Sequence, residues 1–310
     1  MSDISRITQQ SATMLMVANL DSSLSTLTQL QEQAASGKAI NQPSDNPSGA
    51  SQVMLFNSQI GRFQQYASNI SDGQSWTNTA SSELGSVIKA LDNVQSDVLQ
   101  GANGSASDPA SNQALSAQVS SIKQQLLTLS ATNYNGQYIF SGTYGTEPYP
   151  NASSSDYTYA GSQTAATRYV APGQSQAVSV TGSQVFGSGN SAGPTGSSGS
   201  SVFAVLDQIS QDLASGNTPA LSGTDLTNLT SWMNQATQAQ GDIGALGSSL
   251  NTASTQVNNT VTSLQDQVAS VQNANEAQVV SELDLAETSY QAALATTAKI
   301  IQPSLVQFLS

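Results

Sequence analysis

Residues 250–271 read LNTASTQVNNTVTSLQDQVASV, and this stretch decides the fold. Leu250, Val257, Val261, Leu264, Val268 and Val271 follow a three-then-four spacing. Polar residues fill the positions between. That pattern belongs to a helix that lies along another helix. The opening of the chain repeats it with Val17, Leu20, Leu24, Leu27 and Ala34. Both ends therefore carry packing seams, and each end needs a partner.

Working outward, the pattern recurs wherever the chain is helical. A first helix is expected from about Ile7 to Ser36, closed by Gly37 as a left-handed C-terminal residue. Pro43 and Pro47 bracket a break, and Asn46 before Pro47 reads as an N-cap with proline at the first helical position. A second helix keeps Val53, Phe56, Ile60, Phe63, Ala67 and Ile70 on one face and continues through Leu84, Ile88, Leu91 and Val98. Gln74, Thr77, Ser81 and Gln95 weaken that stripe. At 1.5 Å per residue, such a helix of about 50 residues is roughly 75 Å long. Asp108-Pro109 starts a third helix, with Leu115, Val119, Ile122, Leu126 and Leu129 as its stripe.

Asn135-Gly136 then marks a turn, after which Tyr138, Ile139 and Phe140 read as the start of a strand. From about 141 to 201 the period changes to scattered Tyr and Val among Gly, Pro, Ser and Thr, ending in a Gly/Ser-rich stretch at 187–201 with the composition of a flexible linker or loop. Helical spacing returns at Val202, Leu206, Ile209 and Leu213. Thr224 or Asp225 is placed to cap the next long helix, in which Gly241, Gly244 and Gly247 suggest a bend or a close approach. After Asn275 the spacing shifts to a stutter through Val279 and Leu283. Ala286, Tyr290, Leu294, Ile301, Leu305 and Phe308 complete the last stripe, and Pro303 bends or ends it.

The expected fold is mainly α: a long antiparallel coiled-coil-like helical rod formed by both ends of the chain, with a small β-rich domain inserted in the middle. The divisions expected are 1–42 with 265–310 as a terminal coiled-coil core, 43–140 with 202–264 as a helical body, and 141–201 as the insertion. The stripes at 53–98 and 226–261 have each other as partners. Those of the first and last 40 residues point to neighbouring copies, with ends that order on assembly.

Composition bears on chemistry. Only 9 % of residues are charged, against about 25 % in an average domain. A surface poor in charge is cheap to bury against other copies. The net charge of −13 disfavours nucleic acid and anionic membranes. There is no Cys and no His, which removes disulfides, thiol chemistry, the usual general base and the commonest metal ligand. No apolar run approaches the roughly 18 residues of a membrane span. Met14 to Ala18 falls short of a secretory apolar region of about 7–15 residues, so any export would not use a conventional cleaved signal. Asp21, Glu32, Glu83, Asp92 and Asp97 read as solvated helix faces, and Asp45 as a capping residue. No enzyme chemistry and no cofactor is expected.

Several short runs carry a family resemblance. Arg6-Ile7-Thr8, Ser36-Gly37-Lys38 and the run Pro43, Ser44, Asp45, Asn46, Pro47 resemble the N-terminal region of the flagellin superfamily. The last of these is more similar to the hook-associated protein 3 branch than to filament flagellin, where Asp-Asp-Ala-Ala-Gly tends to stand. Asn135, Gly136, Tyr138, Phe140 and Gly142 fit the Asn-Gly-x-Tyr-Ile-Phe-x-Gly segment of that branch. The resemblance covers residues 1–145 well and the last 50 moderately. It implies a bacterial flagellar structural protein at the hook–filament junction, exported unfolded through the flagellar type III channel with an export chaperone. It also implies self-association in a helical ring or tube, and contact with a hook-side junction protein and with flagellin. The terminal stripes, from Val17, Leu20, Leu24 and Leu27 to Val279, Leu283, Tyr290, Leu294, Ile301, Leu305 and Phe308, would then form the polymer interface. Filament flagellin, a secreted adhesin and a type III translocator with a coiled-coil body are the other readings.

Overall fold

The computed structural model describes residues 2–103 and 108–301, apart from the side chains of residues 2–10, 12, 300 and 301. The fold is mainly α, with long helices at both ends and short strands in the middle. Helix α1 spans Ser2–Ser36, α2 Pro47–Ala102 and α3 Pro109–Ser130. Two hairpins follow, β1 (Asn133–Tyr134) with β2 (Gln137–Tyr138), and β3 (Thr167–Ala171) with β4 (Gln174–Ala177). Then come α4 (Gly182–Phe186), α5 (Val202–Ser215), the short α6 (Thr218–Ala220), α7 (Leu226–Gln272) and α8 (Glu276–Ile301). The chain divides into two compact units, Met1–Arg62 with Thr260–Ser310, and Phe63–Asn259. Helices α2 and α7 contribute residues to both.

The helix starts follow local chemistry. Asp108 is extended, and its carboxylate accepts the amide of Ala110, with Pro109 at the first helical position. Ser201 caps α5 by accepting from Ala204. Many helical hydroxyls bond back to the carbonyl four residues earlier, among them Thr26 to Ser22, Thr79 to Ser75, Thr230 to Leu226 and Thr288 to Asp284.

The second unit is built around one continuous apolar core. Helix α2 supplies Ile70, Trp76, Ala80, Leu84, Val87, Leu91, Val94 and Val98. Where the stripe was expected to weaken, Gln74 and Ser81 are half-buried but Thr77 is buried, and beside it Trp76, 1 % exposed, stands in edge contact with Tyr134 (5.8 Å). The Arg168 guanidinium lies over the same indole at 5.3 Å and bonds Asp72 at 2.7 Å, tying β3 to α2. Helix α3 packs its Leu115, Val119, Ile122 and Leu126 along α5. Ser210 on α5 sits between the hydroxyls of Ser116 and Ser120 at 2.8 and 2.9 Å. Phe203 opens α5 into an aromatic cluster with Tyr149, Tyr157 and Phe186, ring centroids 5.0–5.6 Å away.

Several expectations are corrected. Helix α1 begins at Ser2 rather than near Ile7. Strand β2 stops at Tyr138, and Ile139 and Phe140 turn inward, fully buried. Residues 187–201 are not a loose linker. Backbone bonds from Ser188 to Ser200 and from Ser191 to Gly199 close them into a loop, and the Trp232 indole donates to Gly193. Asp225 does not cap α7, because a π-helical turn at Leu221–Asp225 runs from α6 straight into it. Gly241 and Gly244 face open space, so neither marks a close approach. The close approaches lie on α2 instead. A Cβ at Gly73 would meet Val178 at 2.9 Å, and one at Gly101 would overlap the Leu213 side chain. The expected stutter is a true break, since residues 273–275 leave the helix between α7 and α8.

Gly101→Val forces a branched side chain onto Leu213 and Leu221. Overpacking of this kind costs about 1–3 kcal/mol. The expected outcome is an earlier urea midpoint, read through the fluorescence of Trp76 and Trp232. An unchanged midpoint would show that α2 and α5 are not tightly apposed there.

Candidate assembly surface

In the first unit α1 and α8 pair antiparallel, with Leu24 near Tyr290 and Leu30 near Glu282. Leu30, Ile40, Ala50, Val53, Leu264 and Val279 are buried. That is a small interior for so much helix, and apolar residues remain outside it. Met14 and Leu15 are each 64 % exposed, and Leu285 is 67 % exposed. Val17, Leu24, Met54, Leu55, Val280 and Leu294 are exposed as well. A groove of about 760 Å³ runs along α1, lined by Met14, Val17, Ala18, Leu20 and Leu24 with Tyr290 opposite.

The residues expected at a polymer interface fall into four groups. Val17, Leu24 and Leu294 are exposed. Leu20, Leu27, Leu283 and Tyr290 are half-buried, and Val279 is buried within the unit itself. Ile301 ends α8 with its side chain outside the described residues, where Pro303, Leu305 and Phe308 also lie.

The 36–47 segment joins α1 to α2, and each motif residue has a local task. Gly37 takes φ +68°, a left-handed value that glycine adopts without strain. Past it, the Ala39 amide donates to the Gln272 carbonyl at 2.7 Å, and the Ala274 amide donates to the Gly37 carbonyl at 3.0 Å. The Gln272 side chain donates to Ile40 O at 3.3 Å, and that of Gln33 to Ala39 O at 3.1 Å. The α1–α2 connection and the α7–α8 connection are thus bonded to each other. Asp45 accepts the amides of Asn41 and Gln42 at 2.9 and 2.8 Å, which closes the turn that Pro43 and Ser44 span. Asn46 accepts the Gly49 amide at 2.9 Å and caps α2, with Pro47 first in the helix. The helix-capping role expected of Asp45 is corrected: it closes the turn at 41–45, and Asn46 caps the helix. Gln33 and Gln272 carried no sequence signal, because an amide side chain reads as surface until its partner is known.

The second motif is also structural. Asn135 and Gly136, with φ +50° and +82°, make the two-residue turn between β1 and β2, where both central residues are left-handed. Tyr138 closes that hairpin opposite Asn133. Phe140 is buried, and its carbonyl accepts from the Tyr159 hydroxyl (2.8 Å) and the Gly182 amide (2.7 Å). Gly142 has φ +65°, and a Cβ there would meet the Ser162 and Thr164 carbonyls at 2.5 and 2.6 Å, so no other residue fits.

Titratable groups are sparse. Burial pulls the Lys123 ammonium down, but its bonds to Asp207 (2.5 Å) and the Tyr157 hydroxyl (3.2 Å) outweigh that and leave its pKa raised. Among the described residues, no cluster of three or more His, Cys, Asp or Glu is disposed to hold a metal, and no helix is long and apolar enough to cross a membrane. What α1 and α8 present among the described residues is exposed apolar side chains.

Comparison with known proteins agrees with this layout. The bacterial flagellin N-terminal helical region matches residues 7–145, and the bacterial flagellin C-terminal helical region matches residues 226–309. The chain belongs to the bacterial flagellin superfamily. Within it, the chain is 31 % identical over 185 residues to the flagellar hook-associated protein 3 of Salmonella typhimurium, and 32 % identical over 181 residues to that of Escherichia coli. Each match covers 57 % of this chain, and the chain spans a little over half the length of these relatives, 57 % and 56 %. The crystal structure of flagellar hook associated protein-3 from Legionella pneumophila shares the fold. Its TM-score is 0.61 at 16 % identity, covering 71 % of this chain and 98 % of the other.

Gly37→Ala places a Cβ on a left-handed residue, at a cost of about 1–2 kcal/mol. Faster amide exchange at Ala39 and Ala274 is the expected outcome, with the second unit unchanged. Unchanged exchange at both amides would show that the bonds between the two connections do not depend on the turn.

Proposed function

We propose that this chain is a structural component of the bacterial flagellum, the adaptor at the hook–filament junction on which flagellin polymerises. The observation that carries the reading is the uncovered apolar surface of α1 and α8, on a chain of this superfamily. Exposed Met14, Leu15, Val17, Leu285 and Leu294 are costly in water, at about 25 cal/mol for each Å² left uncovered. Neighbouring subunits would cover them. The similarity to hook-associated protein 3 favours the junction over the filament, as does the Pro43–Pro47 turn.

In this reading the polymer interface comprises Val17, Leu20, Leu24 and Leu27 on α1, and Leu283, Tyr290 and Leu294 with the residues beyond on the C-terminal side. Its partners are further copies in a helical ring or tube, the junction protein on the hook side, and flagellin. A dedicated chaperone would guard the C-terminal stripe before export. The site of action is extracellular, reached unfolded through the flagellar export channel. The low charge of the chain supports this, since a surface of Ser, Thr, Asn and Gln loses little when it packs against its own kind.

A strain lacking the gene is expected to bear hooks without filaments and to shed flagellin into the medium. Normal filaments on that strain would refute the junction reading. A chain carrying Leu294→Asp is expected to fold, with a circular dichroism spectrum and urea midpoint within error of wild type, because Leu294 is exposed. It is also expected to fail to restore motility. Full restoration would show that the C-terminal stripe is not a packing seam.

A further inference from the structure

Asp212 lies in the last turn of α5, and Asp225 is the last residue of the π turn that leads into α7. Asp225 is 3 % exposed, and its Oδ2 has no hydrogen-bond partner in the protein. Asp212 is buried too, and its two oxygens are already engaged, Oδ1 by the Asn217 amide group (2.8 Å) and Oδ2 by the Gln208 amide group (2.7 Å). The π turn that carries Asp225 packs against α5, which carries Asp212. Two carboxylates in contact inside a protein cannot both ionise cheaply. One proton between them turns repulsion into a bond.

Asp212 is also a backbone anchor. Its carbonyl accepts the amide of Asn217, and Asn217 in turn accepts from Ala220 and Leu221, so the whole α5–α7 connection hangs on this residue. Among the described residues, neither ion pair includes Asp212 or Asp225. From α5 the nearest groups are the neutral Gln208 and the pair partner Asp212. Helix α7 offers Asn228, which donates to Ala192. Helix α2, which meets this region at Gly101, brings Asp97, another buried carboxyl group with an unpartnered Oδ2. The ion pairs of the described residues, Lys123 with Asp207 and Arg168 with Asp72, are made elsewhere.

We propose that Asp212 and Asp225 form a carboxyl pair that shares one proton, and that this pair makes the joint between α5 and α7 pH-sensitive, tight when the proton is held and loosened when both groups ionise. Burial first, then the charge of Asp212 and the bond to it, push Asp225 up to about 6 from 3.8. The folded chain therefore holds more protons than the unfolded one between those values. The pair's contribution is whole below 3.8, declines as pH rises from there to about 6, and is absent above. The direction is opposite to that of an ion-paired carboxylate, whose contribution is lost in acid.

The test compares the full chain with Asp225→Asn, which mimics the protonated form and leaves every other titrating group in place. Urea unfolding from about pH 4.5 to about pH 8 should show the variant's advantage over wild type growing with pH and levelling off above about 6. In base the variant should be more stable, by about tenfold or more in the folding equilibrium constant, since raising a carboxyl pKa by about one on folding already changes that constant about tenfold. A constant difference across that range overturns the proposal. A second measurement does not depend on the variant folding: the Asp225 carboxyl ¹³C titration in selectively labelled wild-type chain. Titration near 6, falling when Asp212 is replaced by Asn, supports the pair. Titration in the ordinary carboxylate range overturns it.

Discussion

The second unit depends on the burial of Phe203 among Tyr149, Tyr157 and Phe186. Phe203 fixes the first turn of α5 against segments of the middle region that have almost no regular structure of their own. The Tyr149 hydroxyl reaches the carbonyls of Gly182 and Gly187. Tyr157 bonds Asp207, which holds Lys123 of α3. An aromatic ring carries much apolar area on a stiff side chain, and its hydroxyl satisfies buried carbonyls that no strand reaches. Nine tyrosines among so few charges make this a sensible way to order a middle region with two short hairpins.

The first unit rests on a different constraint. Its helices bury little, so its geometry is held by backbone bonds between 37–40 and 272–274 rather than by a core. Backbone groups give direction where apolar contact alone would permit sliding. The motif at 43–47 then sets where α2 begins. Together these leave α1 and α8 paired with each other, with apolar side chains exposed on both.

The legible features were those with short-range causes. Caps at Asn46 and Asp108 and the Asn135-Gly136 turn are decided within four residues, and their structure follows the sequence closely. Helical stripes repeat often enough to be read. Features with distant partners were hidden. Trp76 joins the buried face of α2 because Tyr134 and Arg168 meet it from elsewhere in the chain. Gly73 and Gly101 are small because Val178 and Leu213 press on them, whereas Gly241 and Gly244, which looked similar, face nothing. Asp225 resembled a cap because aspartate before a helix usually is one. A stripe also looks the same whether its partner is in the chain or outside it, so Val279 and Leu294 read alike although one is buried and the other exposed.

The hydroxyls that bond back along their helices have a bearing on dehydration. Ser23, Thr26 and Thr28 on α1, and Ser281, Thr288 and Thr296 on α8, each donate to a carbonyl of their own helix. Such a hydroxyl has already surrendered its donor, so water holds it less firmly than it would hold a lysine or a free amide. Stripping solvent from these helices is correspondingly cheap. A face of this composition gains from its leucines and valines when covered, and gives up little from the polar residues between them.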